Sequence, residues 1–355
     1  MANVGERRGL IARLEEARDN RTLITYVTST RPGLESQMAM DVVPVIYQHL
    51  KAIATPPEET KIDLFIYSNG GDGIVPWRLV TLIREFCSEF DVLVPFRAFS
   101  AATLTALGAD HVVMHPMGML GPTDPTVTNP FNPPSPQNPG QLLGISVEDV
   151  ASYINLVKED VGIRHEDELV QAFKVLAEKI HPLALGAVKR ATSQSRMMGG
   201  KLLRQKALEE KLDEREVEEI IEKLASQLYF HGHPISRKEA RDDLRLIFVQ
   251  DASQEVETAM WNLYESYADD MQMDQEFQPL QEVYAQNPLA TPPPGGPPNV
   301  VSRLLDPLPV AYVESQSRSD KRTVSFEVTV RKEWQGELNA NLSLVAGRWE
   351  SDTKP

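Results

Sequence analysis

The sequence predicts an α/β fold built on mostly parallel strands, and three observations carry that reading. Short β-branched apolar runs alternate with helix-length segments through the first third of the chain. Two turns of glycine or other small residues each follow directly on a buried-strand pattern. The stretch from about 145 to 270 is helical in pattern. In order, TLITYVT (22–28) reads as a strand, 35–53 as a helix, IDLFIYS (62–68) as a buried strand and IVPWRLVTLIREFCSEF (74–90) as a second helix. DVLVPFRA (91–98) follows as a third strand, SAATLTALGA (100–109) as a short helix and DHVVMHP (110–116) as a fourth strand. Strands separated by helices of this length imply right-handed crossovers and parallel pairing.

Residues 121–141 carry seven prolines and no aliphatic period, which predicts an extended loop, a lid or binding edge in character. The segments 146–162, 166–203, 213–228 and 254–271 read as helices, and ISRKEARDD (235–243) as a short helix opened by a serine cap. NPLATPPPGGPPN (287–299) reads as a linker, because clustered Pro and Gly cannot sustain a hydrogen-bonded element. Beyond it, PVAYVES, RTVSFEVTVRKEW and LNANLSLVAGRWE alternate apolar and polar residues, as antiparallel strands do. The expected organisation is an α/β core over 1–145, a helical region over 146–284 that completes it, a linker over 285–300 and a small β unit over 301–355.

At 355 residues and 41% hydrophobic composition the chain can bury a substantial core. A formal net charge of -15 argues against nucleic acid and anionic membrane as partners. Cys87 is the single cysteine, so an internal disulfide and a thiolate zinc cluster are excluded; its segment places it in the core. The first 21 residues lack the apolar stretch of a signal peptide, and no uninterrupted apolar run reaches the ~18 residues that span a bilayer. A soluble, cytoplasmic protein is expected.

Chemistry concentrates at the two turns, where ligand sites gather in open α/β sheets. The first, Tyr67-Ser68-Asn69-Gly70-Gly71-Asp72-Gly73, has three glycines within four residues. Such a backbone can present N–H groups to a bound oxygen instead of covering them with side chains; a plain tight turn is the alternative. It lacks the Gly-Lys-Ser/Thr of a phosphate-binding loop. Gly199-Gly200-Lys201 lies within a helical stretch with no strand leading in, so ATPase activity is not expected in this chain. The second turn, Phe99-Ser100-Ala101-Ala102-Thr103-Leu104, sets Ser100 at a helix start with the small Ala101 beside it. Free N–H groups there can stabilise an alkoxide or an acyl oxyanion, although many serines in such places only cap the helix.

SNGGDG at 68–73, FSAATLTALGADHVVMHP at 99–116 and LGPTDP at 120–125, in this order and spacing, resemble the serine dehydrogenase proteinase family, itself similar to signal peptide peptidase and Clp-type proteases. ITYVTSTRPG at 24–33 and KLASQLYFHGHPISRKEA at 223–240 extend the likeness over most of 10–250. The resemblance implies a Clp-protease/crotonase-like spiral of ββα units. It also implies Ser100 as nucleophile, oxyanion donors from the backbone of Gly70 or Gly71 and Ala101, a peptide or protein substrate, a homo-oligomer, and no cofactor. A separate ATPase or adaptor could accompany it.

The base is less well defined. Laid over a Clp-type protease, Thr123 falls near the catalytic histidine. Signal peptide peptidases use a lysine beyond the nucleophile, and Lys158 is the first one available. Val147, Ala151, Ile154 and Lys158 advance by four, three and four, which predicts a lysine on the apolar face of its helix; snorkelling beside Glu159 is the alternative. His115 is the second candidate base, and His111 shares its side of the strand. Asp124 could orient the base or serve only its own turn. His231 and His233 have no further ligands at metal spacing, so no metal is expected. Two other readings stay open: a crotonase-type acyl-CoA enzyme, for which no glutamate stands in the expected turn, and a non-catalytic scaffold or adaptor.

Overall fold

The computed structural model describes residues 4–136, 140–205, 212–227, 233–286 and 288–353. The chain is mixed α/β and divides into two compact units, one formed by Met1–Ser68, Phe86–Ser88 and Ala252–Pro355, the other by Asn69–Glu85 and Glu89–Asp251.

In the first unit, the strand Thr22–Thr28 is buried along almost its whole length and pairs in parallel with Lys61–Tyr67, Ile24 opposite Leu64. Runs this apolar on both faces need cover on both sides. The other edge of Thr22–Thr28 pairs antiparallel with Leu308–Glu314, Tyr26 opposite Val313. That strand leads into Arg318–Lys332, which also pairs with Asn299–Leu304 and, on its far edge, with Leu338–Thr353. The C-terminal strands therefore continue the sheet of the N-terminal ones. The small β unit expected over 301–355 is not a separate body, because Leu308–Glu314 supplies the ladder that Thr22–Thr28 would otherwise lack on that edge.

A helix not anticipated from the sequence, Val4–Ala17, packs against Gln254–Asp270. Its buried face is Arg7, Ile11 and Leu14, and the arginine at the first of these positions hides the apolar period. Arg7 is compensated where it lies: its Nε donates to Glu314 (2.8 Å), its Nη1 to Asp270 (3.1 Å), and its guanidinium stacks 4.4 Å from the Tyr312 ring. The helix Val42–Lys51 buries Val42, Ile46, His49 and Leu50 on one face. Burial by itself would raise the Asp320 carboxyl, but hydrogen bonds from His49, Arg318 and Ser351 outweigh it and lower it to about 2. Cys87, expected in the core, is half-buried, because the helix Val75–Arg84 ends three residues before it.

In the second unit, Glu89–Val94, His111–Met114 and Val249–Asp251 form a parallel sheet, with His111–Met114 in the middle. A separate small sheet joins Arg97–Ala98 to Met119–Leu120 in parallel and Met119–Leu120 to Ile235–Ser236 antiparallel. The wholly buried helix Ala101–Leu107 packs against Val75–Arg84 and the long helix Pro182–Leu203. The stretch 166–203 is two helices, Glu166–Lys179 and Pro182–Leu203, parted where Pro182 lacks the N–H to continue one and starts the next, capped by His181. Gly199 admits Ile221: a Cβ there would lie 2.5 Å from the Ile221 Cδ1 atom, so this glycine serves close helix packing. Ser236 caps Arg237–Asp242 as expected, accepting from the Glu239 N–H.

The proline-rich stretch is more ordered than an extended loop. Thr126–Val127 pairs with Ile145–Ser146, Pro134 bridges to Leu142, and Asn132 Nδ2 donates to the carbonyls of Val127 and Leu143, both at 2.7 Å. A side-chain amide thus supplies donors that a backbone rich in proline lacks.

Candidate active site

Ser100 stands between the short strand Arg97–Ala98 and the helix Ala101–Leu107, with φ 52° and ψ -112°. A non-glycine residue in this region carries backbone strain of about 1–3 kcal/mol and persists only where its surroundings enforce it. Sharp strand-to-helix turns of this kind expose a nucleophilic hydroxyl. Ser100 is half-buried, its side chain does not cap the helix, and its hydroxyl makes no hydrogen bond among the described residues. The capping role considered from the sequence is therefore not the one it plays.

Two features hold the turn. Thr103, fully buried, lays its hydroxyl 2.6 Å from the Ala98 carbonyl oxygen and 2.9 Å from that of Gly121, and accepts the Gly121 N–H at 3.0 Å. One side chain thus ties the strand before Ser100, the helix after it and the loop that follows Leu120. Gly70, at φ 98°, lies against the turn from the other side: a Cβ there would sit 2.7 Å from the Phe99 carbonyl oxygen, 2.7 Å from the Ser100 Cβ and 3.0 Å from the Ala101 nitrogen. Glycine is required both by the conformation and by the approach. The Ala101 N–H makes no hydrogen bond among the described residues, although Ala101 is buried, and a side chain at Gly70 would lie against it. Asp72 is used locally: its carboxylate accepts the Ile74 N–H at 3.1 Å and its carbonyl the Val75 N–H.

Gly70, Ser100 and Ala101 are therefore together. Thr123 and Asp124 are buried in the loop beyond Gly121, where the Thr123 N–H donates to the Leu224 carbonyl (2.9 Å) and its own carbonyl accepts the Ser195 hydroxyl (2.6 Å). Lys158 is placed otherwise than the helical steps suggested. The helix Val147–Asn155 passes into a π-helical turn, Leu156–Asp160, which shifts the register so that Val157 takes the buried position and Lys158 is exposed. His115 is half-buried, and its Nδ1 accepts the Met117 N–H at 3.0 Å. A neutral imidazole bonded in this way carries its proton on Nε2 and presents a donor there.

His111 donates its N–H to Asp91 (3.0 Å), and its ring Nδ1 lies 3.1 Å from the same oxygen; the hydrogen bond to Asp91, against some burial, raises the imidazole above its ordinary value. With Glu89 these two residues offer three ligand atoms within 4.8 Å of one another, a grouping the sequence reading did not anticipate, in which Asp91 and His111 are paired at 3.1 Å. His231 lies outside the described residues, and His233 Nε2 bonds Glu239 at 2.6 Å. Sequence reasoning missed Thr103 and Gly121. The signal for Thr103 was available: a polar residue three positions after Ser100, in a buried helix of alanine, leucine and one further threonine, must find local partners. No helix among the described residues is long and apolar enough to cross a membrane.

Residues 6–136 match the family described as ClpP-like SDH-type serine proteinase. Two uncharacterized proteins of Methanocaldococcus jannaschii are also similar. One is 33% identical over 78 residues, 22% of this chain and 27% of the relative. The other is 27% identical over 193 residues, 54% of this chain and 55% of the relative. The chain thus spans about a quarter of one of these relatives and about half of the other.

Proposed function

We propose, taking residues 6–136 as a segment of the ClpP-like SDH-type serine proteinase family, that the chain is a serine peptidase acting through an acyl-enzyme at Ser100. The observation that carries this reading is the strained Ser100 turn with Gly70 pressed against it and the Ala101 N–H without a hydrogen-bond partner among the described residues. In the proposed reaction the Ser100 Oγ attacks a peptide carbonyl carbon and its proton passes to a base. The carbonyl oxygen becomes an oxyanion held by backbone N–H groups of Ala101 and of Gly70 or Gly71. The C–N bond then breaks, the amine leaves with the proton, and water hydrolyses the ester. Asp124 is the residue we assign to orienting this machinery. A spiral of ββα units is the matching architecture, supported by Glu89–Val94 and Arg97–Ala98 entering different sheets before the helix Ala101–Leu107.

His115 is the favoured base, and to act through Nε2 it must exchange the Met117 N–H for a hydrogen-bond acceptor, so that the ring proton moves to Nδ1 and Nε2 is freed. Lys158 remains the second candidate; exposed, it lacks the burial on which its candidacy rested. One observation favours a second reading, a non-catalytic scaffold: the Ser100 hydroxyl has no hydrogen-bonded base among the described residues.

The test is labelling of purified protein with a fluorescent fluorophosphonate, read by intact mass, for wild type, Ser100→Ala, His115→Gln and Lys158→Ala. The peptidase reading expects stoichiometric labelling of wild type that is absent in Ser100→Ala, strongly slowed in His115→Gln and retained in Lys158→Ala. Loss of labelling in Lys158→Ala with retention in His115→Gln reverses the choice of base. Folded wild type that takes no label supports the scaffold.

A further inference from the structure

The strand Leu338–Thr353 is the outer edge of the first unit's sheet: it pairs with Arg318–Lys332 on one side, and among the described residues no strand pairs with the other. An edge presents a row of unpaired N–H and C=O groups, and proteins ordinarily blunt it with charge, proline, bulges or brevity; here the one irregularity is a register shift at Val345, near the end of the uncharged stretch. This one has 16 residues, and from Leu338 to Gly347 (LNANLSLVAG) it holds neither a charge nor a proline. Asn339, Asn341 and Ser343 alternate with Leu338, Ala340, Leu342 and Leu344, so one face is polar and the other apolar. Ala340 and Leu342 lie opposite Val330 and Val328, both buried in a cluster with Val283. The apolar face thus runs out of a covered core into water, where Leu342 is 42% exposed and Leu344 63%.

We propose that Leu338–Gly347 is a pairing edge at which two copies of this chain join antiparallel about a two-fold axis normal to the sheet. The flanking charges select this occupant. Glu337 precedes the uncharged stretch and Arg348 follows it. With the extra residue that the ladder takes up at Val345, a two-fold axis centred on Leu342 brings Glu337 opposite Arg348 of the second copy, at both ends of the paired segment. A parallel arrangement would set like charges side by side. The interface is self-complementary, closes at two strands and removes the open edge. It is independent of the chemistry proposed at Ser100.

The test uses the full chain in sedimentation velocity over a range of concentrations. The variants are Leu342→Lys/Leu344→Lys and Leu342→Glu/Leu344→Glu, both at exposed positions, with folding checked by circular dichroism. We expect the wild type to associate, each variant alone to have half the wild-type mass, and an equimolar mixture of the two to regain it through Lys–Glu pairing across the new edge. A wild type that stays monomeric, variants whose mass equals that of wild type, or a mixture that fails to reassociate each overturns the proposal. A monomeric wild type that instead binds an added LNANLSLVAG peptide would assign the edge to a foreign strand.

Discussion

Replacing Gly70 by alanine tests the candidate site at its tightest point. The residue has φ 98°, which an L side chain adopts at a cost of about 1–3 kcal/mol. The added Cβ would meet the Phe99 carbonyl oxygen and the Ser100 Cβ at 2.7 Å each, and the Ala101 nitrogen at 3.0 Å. These neighbours are backbone or backbone-anchored, so none can swing aside; relief requires moving the Ser100–Ala101 segment itself, at about 1–3 kcal/mol more. We expect Gly70→Ala to lose about 2–6 kcal/mol in urea unfolding, by addition of the two costs. We expect its fluorophosphonate labelling to slow at least about a hundredfold, because displacement of a nucleophile or oxyanion donor costs at least that much. Gly73→Ala is the control: no atom lies within 4 Å of a Cβ at that position and its φ is not positive, so labelling and stability should match wild type. Gly70→Ala labelled at the wild-type rate, in a protein as stable as wild type, refutes the assignment of this turn to an oxyanion site.

Three further outcomes follow from the same structure. Thr103→Val removes a buried hydroxyl that bonds Ala98 and Gly121, leaving the Gly121 N–H without its acceptor; about 1–3 kcal/mol of stability should be lost, together with slower labelling of Ser100. Arg7→Leu strands the buried Glu314 carboxylate and should cost about 3–5 kcal/mol by chemical denaturation, whereas a loss under about 1 kcal/mol would show that the ion pair contributes little. The His111 imidazole is raised mainly by its bond to Asp91. Its stabilisation is therefore fully present below the unfolded value of about 6.5 and is lost as pH rises through the folded value. Urea midpoints of wild type should fall over that window relative to Asp91→Asn, and an NMR titration of the ring should show a lower midpoint in the variant.

The local elements were legible where nearest neighbours decide them. TLITYVT is bounded as a strand by its own β-branched content, and Ser236 announces its helix through a short-range hydrogen bond. Val4–Ala17 escaped because its buried face includes Arg7, whose compensation comes from Asp270 and Glu314, hundreds of residues away. Lys158 was misplaced because one extra residue in a helical turn, invisible to a regular period, rotates everything beyond it.

The sequence by itself determined the α/β class, the two small-residue turns and the identity of Ser100 as the serine at the head of a buried helix. These depend on patterns of burial and on glycine's backbone freedom, which are properties of short segments. Only the tertiary structure decided that Leu308–Glu314 lies against Thr22–Thr28, that Gly70 closes on Ser100, and that Ser100 is held at a positive φ. Each of these is a contact or a strain sustained by residues distant in the chain: local preference alone would relax Ser100 into an ordinary helix cap, and packing around it prevents that.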